Sequence, residues 1–356
     1  MINRNTKYIG VSVLAAVTVL FAGCKQADNQ EIKLSSDKEC VVVGDIKGLR
    51  NGTIELEDEY GGNKVIAEGK AKGGKFVIRT EVSQPTFVVA YSDRDGQVRY
   101  FFLEPGIISV SGDFEEDQDN GASGTPSNDC WQAFRKEKQV GKDDQAELYH
   151  RYYDNAPTDI VRLELLDEKY GIWTSTQKME LIQALDPEVL SLPGVSTALD
   201  LYARRTKVEP DGENVYIDIE QPDPDGKVIS LKEVVEKPGN RYVLLDFWAF
   251  WCGPCKEEMP FVKETYEKYR DKGFDIYAVS LDNGDRLMKK WKEYIADNCL
   301  SWTNVCSGEY TRSKAYQDYA IQGIPDNVLI DCSDGRIIGR SLRGEGLAAK
   351  ISELLD

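Results

Sequence analysis

Two cysteines separated by two residues, Cys252 and Cys255, are the side chains whose type and spacing most directly suggest chemistry. They lie in the stretch Asp246-Phe-Trp-Ala-Phe-Trp-Cys-Gly-Pro-Cys-Lys-Glu-Glu-Met-Pro260, after an apolar run and before a charged segment that favours a helix. This pattern predicts a buried strand, a tight turn and a helix whose first turn carries both thiols. Thiols so placed can close a small disulfide, and the helix dipole favours the thiolate of the first one, which is expected to be exposed.

A zinc site is the alternative interpretation of this pair, because a Cys-x-x-Cys pair can be half of such a site. Zinc would need two further ligands. Cys299, Cys306 and Cys332 are the other thiols in this part of the chain, and the spacing of Cys299 and Cys306 fits no common zinc knuckle. We therefore expect no metal and no cofactor. The single histidine, His150, lies in an ordinary helical pattern, which argues against a histidine base.

Further residues around the pair carry a resemblance to a known family. Trp251 precedes it, Gly253 and Pro254 lie inside it, and Gly323-Ile324-Pro325 follows later in the chain. With these features, residues 213–356 resemble the thioredoxin superfamily and are similar to its membrane-tethered TlpA/ResA-like branch. The resemblance implies an α/β thioredoxin fold, with a central mixed sheet flanked by helices, and a thiol-disulfide oxidoreductase.

The resemblance also implies roles for individual residues. Cys252 would attack a partner disulfide and Cys255 would resolve the mixed disulfide. Asp246 matches the buried strand carboxylate of thioredoxins, where desolvation raises the pKa and suits a proton acceptor, although the tethered branch commonly has Asn there. Glu258 matches a glutamate of that branch and is a second candidate; the alternative is an exposed helix carboxylate. Pro325 corresponds to the cis-proline that faces the disulfide and leaves a backbone edge open for substrate.

Asp326-Asn327 replace the small polar residues that are usual after this proline, and we expect Asp326 to repel acidic partners. The Gly-Pro pair inside the motif is that of thioredoxin, which lies at the reducing end of the family. The sequence therefore favours a reductase of protein disulfides over an oxidase. In an oxidising compartment such a protein would need a membrane electron donor.

The N-terminus has the features of an export signal. Arg4 and Lys7 precede an apolar run from Tyr8 to Phe21, and Ala22-Gly23-Cys24 follows. Residues 1–23 are predicted to be a signal peptide, since the apolar run is shorter than the roughly 20 residues of a membrane-spanning helix. The ending resembles a bacterial lipobox. It implies lipidation of Cys24 and an exported protein anchored in the cell envelope, on the periplasmic face of a membrane; an uncleaved anchor or plain secretion is the alternative.

The rest of the chain is predicted to be a series of modules. Residues 24–39 form a tether, and residues 40–114 alternate as in a small antiparallel β-domain. That β-domain resembles one of unknown function found ahead of thioredoxin domains in exported lipoproteins. Residues 115–127 are predicted to be an acidic linker and residues 128–208 a helical segment. Aromatic residues of the helical segment are expected in its core, with a sugar or peptide platform as the alternative: Trp131, Tyr149, Tyr152, Tyr153 and Trp173.

The composition and the absence of certain motifs exclude some classes of function. The chain has 44 Lys and Arg against 61 Asp and Glu, and no basic cluster stands out, so nucleic acid is not an expected partner. A thiol peroxidase would need a Pro-x-x-x-Thr-x-x-Cys loop, and the residues before Cys252 contain no such Thr. A disulfide isomerase, and an envelope binding or scaffold lipoprotein with an incidental thioredoxin domain, remain alternatives. The sequence leaves the pairing of the other cysteines open.

Overall fold

The computed structural model describes residues 32–115, 121–141, 144–167, 172–210 and 213–356. The signal peptide predicted at 1–23, Cys24 and most of the predicted tether lie outside these residues. The chain divides into two compact units, one of residues up to Ile172 with Leu181–Thr197, the other of Trp173–Glu180 with Ala198–Asp356. In the part of the chain that is described, no helix is both long enough and apolar enough to cross a membrane.

Short alternating segments of the first unit form β-strands. They are β1 (Glu39–Lys47), β2 (Gly52–Asp58), β3 (Lys64–Ala71), β4 (Lys75–Glu81), β5 (Thr86–Ser92), β6 (Gly96–Leu103), β7 (Gly106–Asp113) and β8 (Ala122–Ser123). One sheet has the order β4-β1-β7-β8 and another the order β3-β2-β5-β6. Every second residue of a strand points to the same face, and Val42, Leu56, Val88 and Ile108 from the two sheets share one buried core.

The first unit departs from the sequence prediction at two points. The strands pair mostly antiparallel, as predicted, but β1 and β7 pair in parallel. Parallel neighbours cannot be joined by a tight hairpin, and here the connection is made by all the strands between them, which the alternation within single strands does not reveal. The predicted linker 115–127 contains β8, in which Ala122 pairs with Val110 of β7.

Helices follow these strands. They are α1 (Pro126–Val140), α2 (Gln145–Asp154), α3 (Asp159–Asp167), α4 (Ser175–Gln183), α5 (Pro187–Leu190) and α6 (Pro193–Arg205). Of the aromatic residues considered for a platform, Trp131, Tyr149 and Trp173 are buried. The Phe134 ring lies 5.4 Å from that of Trp131 and 5.1 Å from that of Tyr149. These rings therefore pack as core, as the helical spacing indicated.

The second unit is built on a five-stranded mixed sheet of order β13-β12-β11-β14-β15. Its elements, which begin with a separate two-stranded hairpin, are β9 (Glu220–Pro222), β10 (Val228–Ser230), α7 (Leu231–Val235), β11 (Tyr242–Trp248), α8 (Gly253–Tyr269), β12 (Phe274–Ser280), α9 (Gly284–Asp297), β13 (Thr303–Val305), α10 (Lys314–Asp318), β14 (Asp326–Asp331), β15 (Ile337–Arg340) and α11 (Gly344–Leu355). β11 is parallel to β12 and antiparallel to β14.

Alternation along β11 divides the core of this unit into two layers. Leu244 and Trp248 share a buried cluster with residues of α8 and α11. Val243 and Leu245 share another with residues of α7 and α10. A central strand covered on both faces must be apolar nearly throughout, which is why Tyr242–Leu245 reads as a continuous apolar run. The predicted α/β fold, a central mixed sheet flanked by helices, is confirmed.

Residues 215–219 are rich in β-branched and aromatic side chains, which favour a strand, yet they do not form one. Val215 makes only an isolated bridge with Arg336, and the strand β9 begins at Glu220. The backbone N–H of Ile217 instead donates to the Tyr319 hydroxyl at 2.9 Å, and that hydroxyl donates to the Ile217 carbonyl at 2.7 Å. A side chain thus satisfies both backbone groups, so the segment needs no neighbouring strand.

Candidate active site

The sequence motif places a disulfide at the start of α8. Cys252 is bonded to Cys255, and Cys252 is the N-cap of the helix. The backbone N–H of Cys255 donates to the Cys252 Sγ at 3.1 Å, so the sulfur occupies the position of a side-chain helix cap. Pro254 lies in the first turn, where its missing N–H would have no partner in the helix anyway. In the reduced form the same N–H groups and helix dipole would stabilise a thiolate at Cys252.

Both sulfur-bearing residues are buried, which corrects the expectation that Cys252 is exposed. Cys252 is 5% exposed and Cys255 2%. The Ile324 carbonyl oxygen lies 3.8 Å from the Cys252 Sγ, and the Ile324–Pro325 peptide bond is cis. The segment that the resemblance placed opposite the disulfide therefore covers the first sulfur. A partner must therefore reach the Cys252 sulfur across the residues that border the disulfide. One of these residues, Trp251, is 43% exposed.

Asp246 is the buried carboxyl of this site. It lies on β11, on the face that carries Leu244 and Trp248 toward α8, and it is 6% exposed. Burial raises the pKa of Asp246 to about 7, and the positive charge of Arg343 opposes this rise while the charges of Asp326 and Glu258 add to it. A carboxyl with a pKa near neutrality can both accept and release a proton under physiological conditions.

Glu258 and Arg343 lie near Asp246 and also hold the start of α11. The Glu258 carboxylate accepts a hydrogen bond from the Gly344 N–H at 2.8 Å. Arg343 is the N-cap residue of α11 and donates to the Pro325 carbonyl oxygen. Glu258 is therefore not a freely exposed helix carboxylate, since it binds the first residue of another helix. Arg343 was missed in the sequence, because no motif or spacing links it to the cysteines.

Asp326 does not face a partner, which corrects the expectation drawn from the sequence. It is 3% exposed, and its carboxylate accepts from the Arg340 guanidinium at 2.9 Å and from the Ser341 hydroxyl at 2.8 Å. Arg205 lies 3.6 Å from the same carboxylate. Although burial alone would raise it, these two guanidinium groups hold the pKa of Asp326 below its usual value. The charge is compensated inside the domain and cannot repel an acidic partner at the surface.

Asn327 fixes the loop that carries Arg343. Its amide nitrogen donates to the Leu342 carbonyl at 2.8 Å, and its amide oxygen accepts from the Leu342 N–H at 2.9 Å. The residue after Leu342 is therefore held in place beside Pro325. The sequence showed Asn327 only as a departure from the family pattern.

Asp282 positions the turn that precedes the cysteines. It follows β12, is fully buried, and accepts from the Phe250 N–H at 2.8 Å and the Ser280 hydroxyl at 2.8 Å. Burial raises the pKa of Asp282. An acidic residue directly after an apolar strand was the available signal in the sequence, but it does not indicate which backbone group the carboxylate binds.

The cysteines outside the motif differ from one another in environment. Cys40, Cys130, Cys299, Cys306 and Cys332 are free thiols. Cys306 is buried, with its Sγ 3.3 Å from the Met288 Sδ. Burial raises the pKa of Cys332 to about 12. A thiol held protonated in this way is a poor nucleophile, so these properties do not add Cys332 to the site.

Comparison with known proteins gives matches to both parts of the chain. A family described as Thioredoxin-like matches residues 239–337, which contain the disulfide and Pro325. A family described as a domain of unknown function (DUF4369) matches residues 40–131.

Individual relatives each match a part of the chain. The thiol-disulfide oxidoreductase ResA of Bacillus thuringiensis is 34% identical over 134 residues, which are 37% of this chain and 70% of that protein. Nucleoredoxin of Xenopus laevis is 36% identical over 109 residues, 30% of this chain and 25% of that protein. A solved structure of a thiol-disulfide oxidoreductase from Bacteroides fragilis is 33% identical, covers 40% of this chain and 99% of its own, and has a TM-score of 0.36.

Proposed function

Because the chain belongs to the thioredoxin superfamily, in its TlpA/ResA-like branch of thiol-disulfide oxidoreductases, we propose that it reduces disulfides of exported proteins. The reaction uses a dithiol/disulfide cycle of Cys252 and Cys255. One observation carries the proposal: the disulfide lies at the N-terminus of α8, and a buried carboxyl with a pKa of about 7 lies on the strand that leads into it.

The cycle starts from the reduced pair. The Cys252 thiolate attacks one sulfur of the substrate disulfide, which forms a mixed disulfide and releases the other substrate sulfur as a thiolate. Cys255 then loses its proton and attacks the Cys252 Sγ, which releases the second substrate sulfur and leaves Cys252 and Cys255 oxidised. The substrate gains two electrons and two protons, and a dithiol electron donor at the membrane restores the reduced pair.

Asp246 is the proposed acceptor of the Cys255 proton. The thiol lies on the first turn of α8 and is 2% exposed, so bulk water has little access to it. A carboxyl with a pKa of about 7 is partly ionised at neutral pH and can take up this proton. Glu258 and Arg343 act on this step through their charges, which change the pKa of Asp246 in opposite directions.

The reduction potential of the pair tests the proposed direction. The full-length protein, purified in detergent, is equilibrated with a series of thiol–disulfide buffers, and the oxidised fraction is measured by alkylation and mass spectrometry. A reductase requires a potential near that of thioredoxin, about −270 mV, whereas a value near −120 mV would mean that the protein donates disulfides. A Cys252→Ser variant, which cannot form the disulfide, is the control for this measurement.

The same variant tests the redox function in cells. If cells that carry Cys252→Ser had the same phenotype as cells with the wild-type protein, the binding or scaffold alternative would replace the redox function.

The proposed location is the periplasmic face of a bacterial membrane, with the mature chain anchored through lipidated Cys24. This proposal is supported by the charged start, apolar run and Ala22-Gly23-Cys24 ending of the N-terminal segment. Labelling of cells with a radioactive fatty acid tests it. Wild-type protein should carry the label and a Cys24→Ala variant should not. Equal labelling of both would contradict the assignment of Cys24.

A further inference from the structure

Two exposed aromatic rings border the disulfide. Trp251, the residue before Cys252, is 43% exposed, and Tyr310, from the segment after β13, is 39% exposed. Their ring centroids are 5.9 Å apart at an interplanar angle of 64°, an edge-to-face contact. A single exposed apolar side chain is common on protein surfaces, whereas two that adjoin form a continuous apolar patch. Such a patch commonly marks a binding site.

The backbone at Tyr310 is unusual for an aromatic residue. Its φ angle is +57°, in the left-handed region that Gly and Asn adopt readily and bulky residues rarely do. Backbone hydrogen bonds fix the turn, from the Arg312 N–H to the Glu309 carbonyl at 3.1 Å and from the Ser313 N–H to the Tyr310 carbonyl at 3.2 Å. The Tyr310 ring thus contacts Trp251 from a backbone conformation that Gly or Asn would adopt with less strain. Such outliers concentrate at functional sites.

We propose that Tyr310 is a substrate-contacting residue that determines specificity. With Trp251 it forms a surface that binds an apolar side chain of the substrate polypeptide, next to the cysteine that Cys252 attacks. This inference rests on the reductase function proposed above.

The position of the surface identifies its occupant. Trp251 is covalently adjacent to Cys252, and the carbonyl of Ile324 covers that sulfur from another direction. A substrate sulfur that reaches Cys252 therefore brings the neighbouring residues of its own chain onto the aromatic pair. Trp and Tyr are enriched among the residues that dominate binding energy at interfaces, because they present large, rigid apolar area. An apolar substrate side chain is the group that such a surface binds best.

Two disulfide peptides test the inference. They are identical except for Leu or Ser beside the reactive cysteine, and reduction is followed with dithiothreitol as the electron source. Tyr310→Asn removes the ring and suits the left-handed backbone, so it should fold at least as well as the wild type. Tyr310→Phe keeps the ring. Phe261→Asn is the matched control, since Phe261 is exposed to a similar degree, 42%, on α8.

Tyr310→Asn should raise KM for the Leu peptide about tenfold and for the Ser peptide less than twofold, with kcat and the reduction potential of the pair unchanged. Tyr310→Phe and Phe261→Asn should behave as the wild type. An equal rise in KM for both peptides would overturn the inference, because the Tyr310 ring would then act by supporting Trp251 and not by binding the Leu side chain. A preference for the Leu peptide that survives Tyr310→Asn would overturn the inference as well. A changed oligomeric state of this variant in light scattering would also overturn it, because the ring would then pack between copies of the protein. If the wild type reduced neither peptide, the proposed reductase function itself would fail.

Discussion

Replacement of Asp246 by Asn should stabilise the second unit at and above neutral pH. The unfolded chain has the ordinary Asp pKa of about 3.8, and burial raises the pKa of Asp246 to about 7 in the folded protein. At about 1.36 kcal/mol per pH unit, this difference corresponds to about 4 kcal/mol of folding free energy. Asn has the same shape and does not ionise, so the variant avoids this cost.

The pH dependence has a definite sign. Below pH 3.8 the carboxyl is protonated in both states and its ionisation does not affect stability. Between that value and about pH 7 the folded state binds more protons than the unfolded state, so stability falls as the pH rises. Above about pH 7 both states are ionised and the full cost remains. The free-energy advantage of Asp246→Asn should therefore grow from pH 4 to pH 7 and then stay constant.

Urea unfolding of the oxidised full-length protein between pH 4 and pH 8 measures this advantage. The chain has two compact units, so hydrogen exchange in peptides from β11 and β12 is used to follow the second unit separately. Asp271→Asn is the control, because the Asp271 side chain is 92% exposed and its substitution should change stability by less than about 0.5 kcal/mol. An advantage of Asp246→Asn that did not change with pH would refute the reasoning that burial of the carboxyl sets its pKa.

Three further predictions follow from the site. Cys255→Ser should accumulate a mixed disulfide between Cys252 and a substrate, visible by non-reducing electrophoresis, and its absence would contradict the assigned order of attack. Arg343→Gln should raise the pKa of Asp246 and Glu258→Gln should lower it, measured from the pH profile of resolution by Cys255 in single-turnover experiments; shifts in the same direction would contradict the charge assignment. Asp326→Asn should destabilise the second unit by about 3–5 kcal/mol, because it leaves the buried Arg340 guanidinium without its carboxylate; a loss below about 1 kcal/mol in urea unfolding would contradict this.

Features that depend on neighbouring residues could be predicted from the sequence. The apolar run of β11, the turn and the charged helix α8 follow each other directly, and each has a local pattern that a short window contains. The disulfide follows from this order, because Cys252 and Cys255 share one helix start. The cis bond before Pro325 was implied by the family resemblance, since no local pattern predicts it.

Features that depend on distant residues could not be predicted in this way. Arg205 and Arg340 come from α6 and β15, and nothing in the spacing indicates that both guanidinium groups meet the Asp326 carboxylate. The parallel pairing of β1 with β7 is missed for a similar reason, since alternation shows which face of a strand is buried but not which strand lies beside it.

The departure of Asp326-Asn327 from the family pattern has a structural explanation. The sequence suggested that a carboxylate at this position acts on partners, yet Asp326 is compensated by Arg340 and Asn327 holds both backbone groups of Leu342. Arg343 follows Leu342 directly, so these residues fix the guanidinium whose charge opposes the rise in the pKa of Asp246. Both side chains after Pro325 are thus engaged inside the domain, and Asn327 holds the backbone segment that leads to Arg343.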